Sequence, residues 1–190
     1  MPSHRHRLRG KRLVIGITGR IGAGKTSAGK YLSSEYGFQY LRYSQVLSDW
    51  LAKDPESKTR LQEIGWDVMA KGMQSELNRQ LIAHVLPDVD VAIDGLRHPI
   101  DYESLENSFG PSFHLLFIDC PSRKRWEHLK GKSRYASSTA FESADSHPVE
   151  QQIEPLRAKA ALVLHNEGPL QDLYAALDTA IRGFRKVGHT

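Results

Sequence analysis

A chain of 190 residues with 39% hydrophobic and 25% charged residues suits one domain with a substantial core. No apolar run approaches the ~20 residues of a membrane helix, no apolar stretch follows the basic N-terminus as in a signal peptide, and the single cysteine, Cys120, excludes an internal disulfide framework. A cytoplasmic protein with no membrane partner is expected. The net charge of +4 and the basic run Arg5, Arg7, Arg9, Lys11, Arg12 and Arg20 admit a nucleic-acid arm. Residues 1–10 read better as a solvated tail ahead of a domain spanning 11–188.

Strands then alternate with helices. Leu13–Ile17 is a near-continuous apolar run, as in a strand buried on both faces of a parallel sheet. A glycine-rich turn and a helix follow, with Ala28, Tyr31 and Leu32 on one face and a stop at Gly37. Phe38–Leu41 reads as a second strand, with Ser44 as a helix cap. The stretch from Gln45 to Val85 is mostly helical, broken at Asp54-Pro55 and near Gly72. Val89–Ile93 is a third strand ending in Asp94-Gly95, and His98-Pro99 opens a helix over Ile100–Asn107. Phe113–Ile118 is a fourth strand, followed by a helix carrying Trp126 and Leu129. Gly131–His147 turns polar and small, as in a loop or flap. Ala161–Leu164 supplies a fifth strand, and Leu170, Leu173, Tyr174, Leu177, Ile181 and Phe184 fall on one face of a last helix. Five alternating strands imply an α/β fold with a parallel sheet.

The segment GRIGAGKT fits G-x-x-x-x-G-K-[ST], with Gly19, Gly24, Lys25 and Thr26 in the defining places. Glycines let the backbone of Gly19, Arg20, Ile21, Gly22, Ala23 and Gly24 curl so that its N–H groups face phosphate oxygens. The helix starting at Lys25 and Ser27 adds its positive end. Lys25 is placed for the β- and γ-phosphates, and the Thr26 hydroxyl for Mg²⁺. The expected ligand is ATP or ADP with Mg²⁺. No N-K-x-D guanine motif is present.

Three further segments resemble the P-loop nucleoside monophosphate kinase superfamily, in order and over nearly the whole chain from Arg12. The segment from Val91 to Pro99, VAIDGLRHP, resembles its strand-end D-G-x-x-R element. The segment from Pro121 to Arg134 resembles its lid helix, and that from Leu162 to Leu177 its last strand, adenine loop and final helix. The nearest flavour is that of the deoxynucleoside monophosphate kinase-like and dephospho-coenzyme A kinase-like branches, with adenylate-kinase-related proteins. The resemblance implies a three-layer P-loop NTPase fold with a five-stranded parallel sheet, a helical acceptor region at about 44–86 and a short lid at about 131–147.

It also implies a kinase passing the γ-phosphate of ATP to a nucleoside monophosphate or similar small phosphorylated acceptor. Lys25, Asp94, Arg97 and Arg134 would be catalytic. Asp94 would join Thr26 at Mg²⁺, with Asp119 second in rank for that role. Ser44, Arg97 and Arg125 would hold the acceptor, and Asn166 and Gly168 would border the adenine. Arg123 is a further lid candidate. Two departures bear on the acceptor: Ser44–Ser48 lacks the family's carboxylate and arginine, and Tyr135 and Ala136 replace an acidic pair after Arg134. Dephospho-coenzyme A, a polynucleotide 5′ end, or a nucleotide-binding regulator with a decayed acceptor site therefore remain alternatives. Cys120 reads as inert, Trp50 and Trp66 as core, and the histidines as unconnected with zinc.

Overall fold

The computed structural model describes residues 12–51, 68–132 and 135–187. The basic tail, Asp54-Pro55, Trp66 and Arg134 lie outside them. Five strands form one parallel sheet: β1 (Val14–Thr18), β2 (Gln39–Arg42), β3 (Val91–Leu96), β4 (Phe113–Asp119) and β5 (Leu162–His165), in the order β2-β3-β1-β4-β5. β1 is buried along its whole length, which explains why its sequence is continuous rather than alternating in polarity.

Helices cover both faces. On one face α1 (Lys25–Tyr36) and the C-terminal helix (Leu170–Val187) pack on the sheet. Leu173, Leu177 and Ile181 are fully buried there, each worth roughly 1.5–3 kcal/mol. Tyr31 stacks on Tyr174, and the Tyr31 and Tyr36 hydroxyls both donate to Asp178, tying the two helices together. Leu170, expected on the buried face, is 39% exposed because it stands at the helix start, before the chain reaches the core.

The opposite face carries α2 (Tyr43–Leu51), α3 (Gln74–Ala83) and α4 (Pro99–Phe109) around Val46, Leu77, Leu81, Ile93 and Leu105. Trp50 packs against this cluster. Ser44 is not a cap, since α2 already begins at Tyr43; the backbone turns helical directly from β2. The break near Gly72 is found, with Gly72 in a left-handed turn before α3. His98 caps α4 as predicted from its Pro99: His98 Nδ1 accepts from the Ile100 N–H, and Asp101 answers from the third position.

After β4 come α5 (Ser122–Leu129), α6 (Ser138–Asp145), α7 (Pro148–Gln151), α8 (Glu154–Arg157) and, beyond β5, the final helix as α9. Gly131–His147, expected to be a loop or flap, contains α6. Ser137 caps it by accepting from Ala140 N–H, and Phe141 buries against Leu129 and Tyr135.

Candidate active site

From β1 the chain runs to β2 at one edge of the sheet, and from its neighbour β3 it runs to β4 on the other side, so a crevice opens at the carboxyl ends of β1 and β3. Ligands of open parallel sheets bind at such a reversal. A cavity of about 590 Å³ lies there, lined by loop residues Ile21, Gly22, Gly24, Lys25, Thr26 and Ser27 and by Asp94, Gly95 and Arg97 from the end of β3. β3 runs on through Leu96 instead of ending at Asp94-Gly95, and a register shift between Ile17 and Thr18 accommodates this.

The phosphate loop has the backbone that its glycines require. Gly24, just before α1, has φ +108°, and a Cβ there would lie 2.6 Å from Asn166 Nδ2. No side chain caps α1 at Gly24, so its first N–H groups face the loop's concavity. Lys25 Nζ donates back to the Gly19 and Arg20 carbonyls at 2.6 and 2.9 Å. Withdrawal from water holds its ammonium below the usual lysine value; Arg97 pushes the same way, while Glu150 and Asp94 oppose.

Thr26 and Asp94 meet across the sheet. The Thr26 hydroxyl donates to Asp94 Oδ2 at 3.1 Å, and the Tyr40 hydroxyl donates to the same oxygen at 2.8 Å. Burial, with the Asp94 charge beside it, pushes the Tyr40 phenol well above its ordinary value, so it remains a donor. Tyr40 reaches Asp94 because Gly29 lets its ring pack against α1: a Cβ at Gly29 would come within 2.2 Å of it. Tyr40 escaped sequence reasoning. The usable signal was an aromatic within the strand adjacent to the Asp94 strand.

Below Arg97 sits a buried polar cluster. Asp101 Oδ2 accepts from the Arg97 and His98 N–H groups at 2.9 Å each, and its Oδ1 accepts from Gln74 and Asn78 amides at 2.5 and 2.9 Å. Burial pushes the Asp101 carboxyl upward, yet all four neighbours donate, which fits the carboxylate. Asn78 in turn accepts from Tyr43. This cluster fixes the backbone that presents Arg97. With Gln74 Nε2 committed to Asp101, its buried Oε1 has no hydrogen-bond partner among the described residues, although Gln74 lines the cavity.

The helices after α5 add carboxylates. Asp145 receives both Arg125 nitrogens, at 2.5 and 2.9 Å, and Arg20 Nε at 3.1 Å. Glu150, buried on α7, accepts from Arg97 and from the Ile21 N–H, the latter at 2.9 Å. Arg125, expected at the acceptor, is itself buried and also donates to the Cys120 and Ile21 carbonyls. Its donors thus brace the loop against α6.

Asn166 is likewise a brace, its N–H donating to the Asp119 carbonyl and its amide to the Ala23 carbonyl at 2.8 Å. Asn166 and Gly168 both line the cavity, as does Ser44, whose hydroxyl accepts from Arg42. Asp119 is engaged by Arg157 at 2.7 Å, which lowers its pKa, and is not among the cavity-lining residues. Arg123 is an exposed partner of Glu127. Cys120 is buried, and burial pushes its thiol upward, as suits an unreactive side chain. Gln74, Asp101, Asp145 and Glu150 had no motif to announce them; each depends on a partner far along the chain.

No protein-family model matches the sequence, and no curated protein is significantly similar to it. Solved structures are. The protein TT1252 from Thermus thermophilus superposes with a TM-score of 0.59 at 20% identity, over 90% of this chain and 97% of that one. Shikimate kinase from Acinetobacter baumannii, solved with shikimate, gives 0.59 at 12% identity over 90% and 92%. A gluconokinase from Sinorhizobium meliloti 1021 gives 0.60 at 14% identity over 94% and 96%. At such identities the likeness establishes architecture, and the resemblance drawn from the ordered motifs holds at that level. The chain thus has the fold that these solved kinases share, a five-stranded parallel sheet with helices on both faces.

Proposed function

We propose that the protein is an ATP-dependent phosphotransferase acting on a small acceptor bound in the cavity at the carboxyl ends of β1 and β3. The carrying observation is the contact between Thr26 of the phosphate loop and Asp94 of β3. It supplies the hydroxyl and carboxylate by which such loops hold a magnesium nucleotide. Both donors are oxygens, which suits Mg²⁺, an ion usually held by one or two carboxylates plus substrate phosphates. When bound, Mg²⁺ neutralises charge on the β- and γ-phosphates.

The residues from Gly19 to Ser27 would cradle the triphosphate, Lys25 would follow the γ-phosphate, and Asn166 and Gly168 would border the adenine. Arg97 would meet the transferring group, with Ser44 on the acceptor's side. Arg134 keeps the lid role that the motif implies. A nucleoside monophosphate acceptor is supported by Arg97 and Arg42, both on the cavity wall. A hydroxyl-bearing metabolite is the second reading, favoured by the ion pair that already occupies Arg97.

The test is ADP release from Mg·ATP against ribo- and deoxynucleoside monophosphates, dephospho-coenzyme A, and sugars or cyclitols with free hydroxyls. Stimulation by one acceptor, abolished in Lys25→Ala, is expected. Tight ATP binding without turnover on any acceptor would instead mark a nucleotide-binding regulator.

A further inference from the structure

The glycines that let the phosphate loop curl also leave its peptide planes free to reverse, so another group must fix which way they face. The tip of the loop is a turn from Arg20 to Ala23, closed by the Ala23 N–H donating to the Arg20 carbonyl at 3.1 Å. Gly22 stands third in that turn at φ +78°, and Ile21 before it has no positive φ, which makes the turn type II. A type I turn with the same closure differs by reversal of the Ile21–Gly22 peptide.

Helix α5 holds the tip from outside. Arg125 Nη1 donates to the Ile21 carbonyl at 3.2 Å, and His128 Nδ1 lies 2.9 Å from the Gly22 carbonyl. The approach is close: a Cβ on Gly22 would come within 2.8 Å of the Arg125 carbonyl and 2.9 Å of Leu129 Cδ1. In a trans peptide the carbonyl and the following N–H point opposite ways. With the Ile21 and Gly22 carbonyls drawn toward α5, the Gly22 and Ala23 N–H groups are turned away from it. That is the side of Lys25, whose ammonium meets the Ala23 N–H at the same Arg20 carbonyl.

Arg125 is set in place by its bonds to Cys120 and Asp145 as well. His128 is exposed, lines the cavity, and has no hydrogen-bond partner but Gly22 among the described residues. A carbonyl oxygen only accepts, so Nδ1 carries the proton and the neutral ring keeps its lone pair on Nε2.

We propose that His128 is a positioning residue for the phosphoryl donor: as its Nδ1–H tautomer it holds the Gly22 carbonyl on the α5 side and so keeps the tip of the phosphate loop facing the nucleotide's phosphates. This rests on the kinase reading. His128 acts through the Gly22–Ala23 peptide, whose N–H is otherwise free to turn away.

The test has two arms, both on the full chain. In the first, long-range proton–nitrogen NMR of the nucleotide-free protein at mildly alkaline pH reads the histidine tautomers, with His128→Asn identifying the signal. The Nδ1–H form is expected; the Nε2–H form, the usual one for an imidazole free in water, would overturn the proposal. In the second, calorimetry measures Mg·ATP affinity. His128→Ala should weaken it about fivefold, the worth of one neutral hydrogen bond. His128→Asn puts an amide N–H where Nδ1 stood and should recover most of that loss, whereas His128→Gln, whose amide reaches the place of Nε2, should not. Equal affinity in the wild type and all three variants overturns the proposal. Recovery by Gln instead of Asn overturns it too, since Nε2 would then touch the nucleotide directly. Failure of the wild type to bind Mg·ATP would sink the kinase reading and the proposal with it, whereas the wrong tautomer sinks the proposal alone.

Discussion

The phosphate loop and the helices α6 and α7 are bonded directly to one another and are built on opposite plans. Within the loop the defining contacts span a few residues, as when Lys25 reaches back to Gly19 and Arg20. Between the loop and these helices they span 125 residues from Arg20 to Asp145 and 129 from Ile21 to Glu150. A local plan needs residue types that permit one backbone. A distant plan needs charges that the fold brings together, and these can be exchanged without disturbing the loop's own path. The loop is thus the rigidly specified half of the site, and the residues that the fold brings to it are the adjustable half.

The sharpest way to break that asymmetry is Gly24→Ala. The added Cβ meets Asn166 at 2.6 Å with the backbone already at φ +108°, so strain and collision act together. ATP affinity should fall by about a thousandfold, roughly 4 kcal/mol, when left-handed strain is added to a displaced brace. Calorimetry with Mg·ATP measures it, and a loss under tenfold would mean that the loop is more pliant than its geometry implies.

On the adjustable side the largest effect belongs to Asp101→Ala. Four donors converge on that carboxylate, and its removal strands them in a buried pocket. A stability loss of about 3 kcal/mol is expected, with ADP affinity much less affected. Denaturant melts beside ADP titrations separate the two. Equal damage to both would show that the acceptor floor and the phosphate loop form one unit.

A subtler comparison is Gly29→Ala. Alanine is the better helix former by about 1 kcal/mol, yet its methyl would meet the Tyr40 ring at 2.2 Å. The displaced ring surrenders its bond to Asp94, and the Mg²⁺ requirement for nucleotide turnover should rise by about tenfold, the worth of one charge-assisted bond. Tyr40→Phe should reproduce that rise without any clash. A normal Mg²⁺ dependence in Tyr40→Phe would release Tyr40 from the site.

The same contrast explains what could be read in advance. The central strands β1, β3 and β4 and the loop were legible, because a buried parallel strand is nearly continuously apolar and a phosphate loop needs glycine at fixed spacing. Asp94 was legible as a polar residue ending an apolar run. Glu150 was not: it sits in a polar stretch where glutamate is ordinary, and only the approach of α7 to Arg97 gives it a role. Gln74 and Asp101 were hidden likewise, each reading as one more polar residue on a helix. Arg125 was legible as charge but not as a brace, since its Asp145 partner arrives from the segment expected to be a flap.

The smallest effect tests what holds that segment. Asp145 ties α6 to Arg125 and Arg20, while Phe141 buries on the same helix against Leu129 and Tyr135. Burial acts to raise the Asp145 pKa, but the Arg125 bond and the charges of Arg125 and Arg20 outweigh it, and the net shift is below the ordinary 3.8. A carboxylate depressed in the folded state contributes fully above its unfolded value and loses that contribution as pH falls through the folded one. The latch should therefore be intact above pH 3.8 and fail below it. Hydrogen exchange, corrected for the intrinsic pH dependence and referred to β1, should show α6 amides losing protection in that range while β1 keeps its own. Asp145→Asn should show part of the loss at neutral pH. If α6 protection tracks β1 at every pH, the ion pairs contribute little and the Phe141 contact alone seats the helix.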